Sequence, residues 1–223
     1  MVKLIRLAEI TNSNASDKTS FWSTLSDLFP LTDDHSAFLQ KYENALNQLD
    51  DKAWSYIKRS ANDRASKRDK FGRYRELFDV LNEALAYSHL KSIGCDEVQF
   101  IEAGKQKNTQ SPDLLGVKSG ITYLCEVKTK HCSDHFELRK QSSMSIRTGH
   151  KVNQKVLSLI KQTIEEAYRQ LKALDIDNCK RIIFLSLNWD NLHVNRNLKE
   201  EYDAQVAYFG LSGHLFRFHP ARH

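Results

Sequence analysis

Cysteine, proline and glycine are scarce in this chain of 223 residues, which holds 4, 3 and 8 of them. Its thiols, Cys95, Cys125, Cys132 and Cys179, form no CxxC pair and are too few to staple a domain of this size, so they read as reduced cysteines. Little glycine and proline excludes collagen-like and low-complexity chains, and 40% hydrophobic with 27% charged residues excludes wholesale disorder. Also missing is any run of about 18 apolar residues, so no membrane span is expected. The apolar part of Met1 to Arg6 is too short for a secretory signal, which points to the cytoplasm. With no GxxxxGK[ST] loop and no nucleophile elbow, nucleotide-driven motors and Ser/His/Asp hydrolysis are disfavoured.

What the chain does have is an excess of base, with 33 Lys and Arg against 28 Asp and Glu. A net charge of +5 permits a polyanionic partner without demanding one. Two stretches concentrate it. Between Lys52 and Arg75 nine basic residues face only Asp63 and Asp69, with Tyr56, Phe71 and Tyr74 available either for base stacking or for a core. Between Arg139 and Lys161 lie Arg139, Lys140, Arg147, Lys151, Lys155 and Lys161 with no acid, interrupted by serines, Thr148 and Gly149. Such a segment suits a basic loop that holds backbone phosphate, or simply a solvated loop and helix start.

The N-terminal third reads as helical, with Phe21 to Phe29 clustered before Pro30, then Phe38, Tyr42, Ala45, Leu46 and Leu49 at helical spacing. A further helix is expected from about Gly72 to Ser92, closed by Gly94. Leu77, Phe78, Leu81 and Leu85 lie along one stripe, and Val80, Glu83, Tyr87 and Leu90 along nearly the opposite one. Two greasy faces imply two packing layers, with the second, including Glu83, turned to a sheet. Strands follow at 97–103, 113–117 and 121–129, then a helix over 151–174 and a strand at 181–187 apolar enough to be covered on both faces. Val206 to Phe209 and Leu215 to Phe218 could add an edge strand or a short helix. The expected organisation is a helical extension over 1–71 and an α/β core with its tail over 72–223.

On the strand 121–129, alternation puts Leu124, Glu126 and Lys128 on one face and Tyr123, Cys125 and Val127 on the other. If Ser119-Gly120 forms a two-residue loop, Lys118 pairs with Ile121 and Asp113 faces Glu126. Two carboxylates about 5 Å apart across paired strands can clamp one hard divalent cation. A three-residue loop would instead set Asp113 against Cys125, unless a bulge restores the parity. The alternative is an ordinary ion pair on a solvated sheet face. A zinc cluster of Cys125, His131, Cys132 and His135 is disfavoured by poor spacing and by strand parity.

Pro112-Asp113, followed after a hairpin by Glu126-Val127-Lys128, resembles the PD-(D/E)XK nuclease superfamily, as does the order of helix, three strands, helix and strand. Over roughly Gly72 to Asn188 the resemblance implies a restriction-endonuclease-like fold, a mixed central sheet flanked by helices, and a nuclease that hydrolyses phosphodiester bonds by metal-assisted attack of water. It implies Asp113 and Glu126 as Mg²⁺ ligands, with Mn²⁺ able to substitute, Glu83 as a direct or water-mediated ligand, and Val127 lending its carbonyl. Lys128 would sit beside water and the scissile phosphate. Lys130, Arg139, Lys140, Arg147, Lys151 and Gln170 are the accompanying nucleic-acid contacts, with DNA favoured over RNA. A homodimer and a protein partner for the N-terminal helices are compatible with the resemblance. The alternatives are a non-cleaving nucleic-acid-binding or complex-forming module on the same fold, and a ribonuclease or toxin effector.

Overall fold

The computed structural model describes residues 4–13, 16–22, 33–70, 74–101, 111–131, 154–174, 176 and 178–188. They fall into two compact units, Met1–Gly94 and Cys95–His223. Among the described residues no helix is long and apolar enough to cross a membrane.

The first unit contains α1 (Ile5–Ser13), α2 (Asp33–Leu46), α3 (Asp51–Arg64) and α4 (Arg75–Ser92). α3 begins where Asp50 takes extended backbone and accepts the Ala53 amide at 2.8 Å, an ordinary N-cap. α4 ends as expected, with Gly94 at φ 91 just past the last turn and its N–H on the Lys91 carbonyl at 2.9 Å. Leu77, Val80, Leu81, Leu85, Tyr87 and Leu90 are all buried, so both apolar stripes of α4 are covered. α4 packs on α2 and α3, and lies with them in the first compact unit. Across that packing Tyr42 Oη donates to Asn82 Oδ1 at 3.0 Å and Tyr87 Oη to Asp50 Oδ2 at 3.1 Å.

α1 has no capping side chain of its own in its first turn. Glu43 of α2, fully buried, supplies one from across the bundle: its two carboxylate oxygens accept the Arg6 and Leu7 amides, each at 2.9 Å. Asn47 Nδ2 donates to the same carboxylate at 3.2 Å. Orphan amides and helix dipole both favour an anion there.

The second unit is a four-stranded sheet in the order β1 (Glu97–Phe100), β2 (Leu114–Lys118), β3 (Ile121–His131) and β4 (Cys179–Asn188), with α5 (Gln154–Ala173) between β3 and β4 in sequence. β1, β2 and β3 are antiparallel neighbours, while β3 and β4 run parallel. A parallel pair needs a long crossover, and α5 provides it. Ile160, Ile164, Ala167 and Leu171 of α5 bury one face of the sheet through Leu124, Ile183 and Leu185. Ile182 and Phe184 are buried as well, so the continuous apolar run of β4 is covered on both sides. The sheet is thus mixed and α/β in class, with strands and crossover helix in the order expected; the tail at 206–218 lies outside the described residues.

Glu43→Ala strips two amides of a buried, charged acceptor. It should lower the unfolding free energy by about 2 kcal/mol in urea denaturation, with Glu43→Gln losing less.

Candidate functional site

The geometry of the site begins at the hairpin turn. Lys118 pairs with Ile121, which leaves Ser119 and Gly120 as a two-residue loop with φ of 50° and 74°. Two positive φ values make a type I′ turn, whose twist matches that of the strands it joins. The two-residue alternative is therefore the one realised, and parity follows without a bulge: Leu115 pairs with Leu124 and Leu114 with Cys125, so the next step sets Asp113 against Glu126. Leu115 and Leu124 both pack against the α5 cluster. Asp113, Glu126, Lys128 and Lys130 share that face by alternation, and Cys125 takes the other.

Pro112 decides what happens at the end of β2. Continuing the register places it opposite Val127, where a ladder residue would give one N–H and accept another. Proline has no N–H to give. The Val127 amide donates to Asp113 Oδ2 at 2.7 Å, so the Asp113 side chain takes the place a ladder carbonyl would hold, while the Val127 carbonyl is the group that proline leaves without a ladder donor. Asp113 itself is pinned by its carbonyl, which accepts the Ile101 amide at 2.9 Å. Two carboxylates thus lie close to each other where β2 stops and β3 continues, with the Val127 main chain beside them.

Lys128 Nζ donates to Glu126 Oε1 at 2.6 Å. In the parallel register Glu126 lies beside Ile183 and Lys128 beside Leu185. This hydrocarbon wall leaves Glu126 only 6% exposed, which overturns the alternative of a solvated surface ion pair. Burial raises the pKa of Glu126, the Asp113 charge raises it further, and Lys128 opposes both. Burial likewise raises Asp113, against the Val127 amide and Lys128. The two acids are therefore held where they repel each other, Glu126 buried and Asp113 half-buried, with one ammonium to offset them. Their donors are all oxygen, the set that Mg²⁺ or Mn²⁺ prefers. The residues present fit such an ion.

Of the other expected residues, Lys130 lies on the same face, half-buried, two positions beyond Lys128. Glu83 is on α4, half-buried, within the first unit. Gln170 is on α5, with its carboxamide oxygen buried and without a hydrogen-bond partner among the described residues. Arg139, Lys140, Arg147 and Lys151 lie outside the described residues. Tyr74, offered as a stacking group, is buried in an edge-to-face cluster with Phe21, ring centroids 5.2 Å apart, and is core. Among the described residues no three His, Cys, Asp or Glu side chains gather as a metal cluster. The buried Cys125 thiol is pushed up by desolvation and by the Asp113 and Glu126 charges, which makes it a poor ligand. Sequence reasoning missed Ile183 and Leu185 as the wall that desolvates the acids; the uninterrupted apolar run of β4 was the available signal.

The chain matches no family model, no characterised protein and no solved structure.

Because both acids bind a proton more tightly folded than unfolded, their contribution to stability is greatest below their ordinary values of 3.8 and 4.5. It is lost as pH rises through the higher folded values. At neutral pH the charged pair is a cost. Asp113→Asn keeps an oxygen for the Val127 amide and removes one charge, so its melting temperature at pH 7 should exceed wild type by about 2–4 °C, a gain that vanishes near pH 4. A lower melting temperature at pH 7 would show that the Asp113 charge is structural.

Proposed function

We propose that this chain is a Mg²⁺-dependent nuclease of restriction-endonuclease-like fold that hydrolyses phosphodiester bonds of nucleic acid, with DNA as the first substrate to test and Mn²⁺ able to replace Mg²⁺. One observation carries it: one step past the Leu114–Cys125 pair that ends β2, the register sets Asp113 against Glu126, whose carboxylate is bonded by Lys128 at 2.6 Å beside a buried apolar wall. An acid pair that costs stability is the mark of a site kept for chemistry.

In this proposal Asp113 and Glu126 would hold the cation, with the Val127 carbonyl as a third oxygen. The ion would supply Lewis-acid charge to a phosphate oxygen and acidify water at neutral pH. Lys128 would bring its Nζ beside the phosphate, where it can meet the negative charge that builds on phosphorus-bound oxygens during attack. Ile183 and Leu185 exclude water from the pair, which strengthens each of these interactions. Lys130 would meet phosphate on the same face.

The test is cleavage of supercoiled plasmid, single-stranded DNA and RNA with Mg²⁺, with Mn²⁺ and with EDTA. Metal-dependent shortening of DNA is expected. Asp113→Ala, Glu126→Ala and Lys128→Ala should each lower the rate at least about 100-fold while substrate is still bound. Undiminished metal-dependent cleavage by the triple variant would falsify the assignment. Mobility shift without shortening would indicate a non-cleaving module, and cleavage confined to RNA a ribonuclease.

A further inference from the structure

Resting on the assignment of Asp113 and Glu126 as cation ligands, we propose that Lys128 is an internal counter-ion that weakens the site for its divalent cation by competing for Glu126. The ammonium is bonded to Glu126 Oε1 at 2.6 Å, within the range of a charge-assisted hydrogen bond. Glu126 cannot offer that oxygen to a second cation unless Lys128 moves or tolerates a close positive neighbour. The two partners differ in freedom. The Lys128 side chain is 26% exposed and the Glu126 side chain 8%, so the lysine can turn its charged end to water while the glutamate stays fixed against Ile183.

Asp113 does not share the load. Among the described residues its carboxylate makes no ion pair, and its bond is to the Val127 amide. The hydrogen bond of the ammonium is therefore given to one of the two ligands, and Asp113 feels its charge only at longer range. Like charges a few ångströms apart in a partly desolvated site repel strongly, so the same residue that offsets the acid pair also opposes a metal ion there. A lysine that acted only on water and phosphate would leave ion affinity unchanged. Lys130, two residues along the same face and without an ion pair among the described residues, removes an equal charge when mutated but does not touch Glu126.

The experiment is titration of the full chain with Mn²⁺ at pH 8.5, followed by calorimetry and by the electron paramagnetic resonance of free Mn²⁺, without substrate. Lys128→Met and Lys128→Gln should bind Mn²⁺ on the order of tenfold more tightly than wild type. Lys128→Arg should stay near wild type and Lys130→Met within about twofold. Unchanged or weaker binding in both Lys128→Met and Lys128→Gln overturns the competition while leaving the ligand assignment standing. Equal tightening in Lys130→Met overturns it too, by showing a general charge effect. If wild type binds no Mn²⁺, or Asp113→Asn binds it as well as wild type, the ligand assignment fails and the competition with it.

Discussion

A turn of two residues decides which side of the sheet every side chain of the β2–β3 hairpin meets. With period-two alternation, one residue more in the loop would send Asp113 toward Cys125 and away from Glu126. Ser119 takes a left-handed conformation to make this turn, at a cost of about 1 kcal/mol for a residue with a Cβ. The cost is offset by what the register allows. Leu115 and Leu124 reach the α5 cluster, while Leu114, Tyr123 and Cys125 are buried on the opposite face. A slipped hairpin would expose both sets at once, so core packing and site geometry select the same register.

Once the register is set, the electrostatics follow from hydrocarbon. Ile183 and Leu185 belong to a strand that must be apolar because it is covered on both faces, and they stand beside Glu126 and Lys128 as a consequence of parallel pairing. Their presence removes the water that would otherwise make Glu126 and Lys128 an ion pair of negligible worth. Desolvation then outweighs the attraction, which is why both acids sit above their ordinary pKa values despite a lysine in contact with one of them. A structural salt bridge needs no second carboxylate facing it; Asp113 worsens the balance, and Pro112 makes room for it.

The α/β order was legible in the chain because each element announces itself by a different signal: Gly94 after the α4 stripes, Ser119-Gly120 between alternating runs, the three- and four-residue spacing of α5, the unbroken apolar run of β4. That Glu126 and Lys128 share a face followed from alternation alone, whereas the side of Asp113 depended on the loop. Parity remained open because serine and glycine permit more than one loop length, and the side of the sheet that carries α5 settled it. Glu43 was not legible. Nothing near it in sequence marks it as the cap of α1, since the amides it serves belong to Arg6 and Leu7, far away along the chain. Long-range polar contacts of this kind leave no periodic trace.

Charge counted along the chain is a poor guide to charge presented to a polyanion, and the first unit shows why. In the basic run from Lys52 to Arg75, Lys58 meets Glu9 at 3.1 Å and lies over the Trp54 ring. Arg64 and Lys67 share Glu76, at 3.9 and 3.5 Å, and Arg75 holds Asp69 at 3.0 Å. Arg68 donates to the Thr19 carbonyl and stacks on Tyr74. Each of these contacts is weak, because partly exposed pairs in water contribute little, but each holds a side chain toward the protein. Glu9 lies far from the run in sequence, and Glu76 just beyond it. Folding thus returns acids to a stretch that the sequence left almost without them. On the sheet the opposite occurs: burial partly desolvates two acids and leaves them one lysine. Among the described residues, the pair of acids that burial leaves least compensated lies in the second unit and not where basic residues are densest.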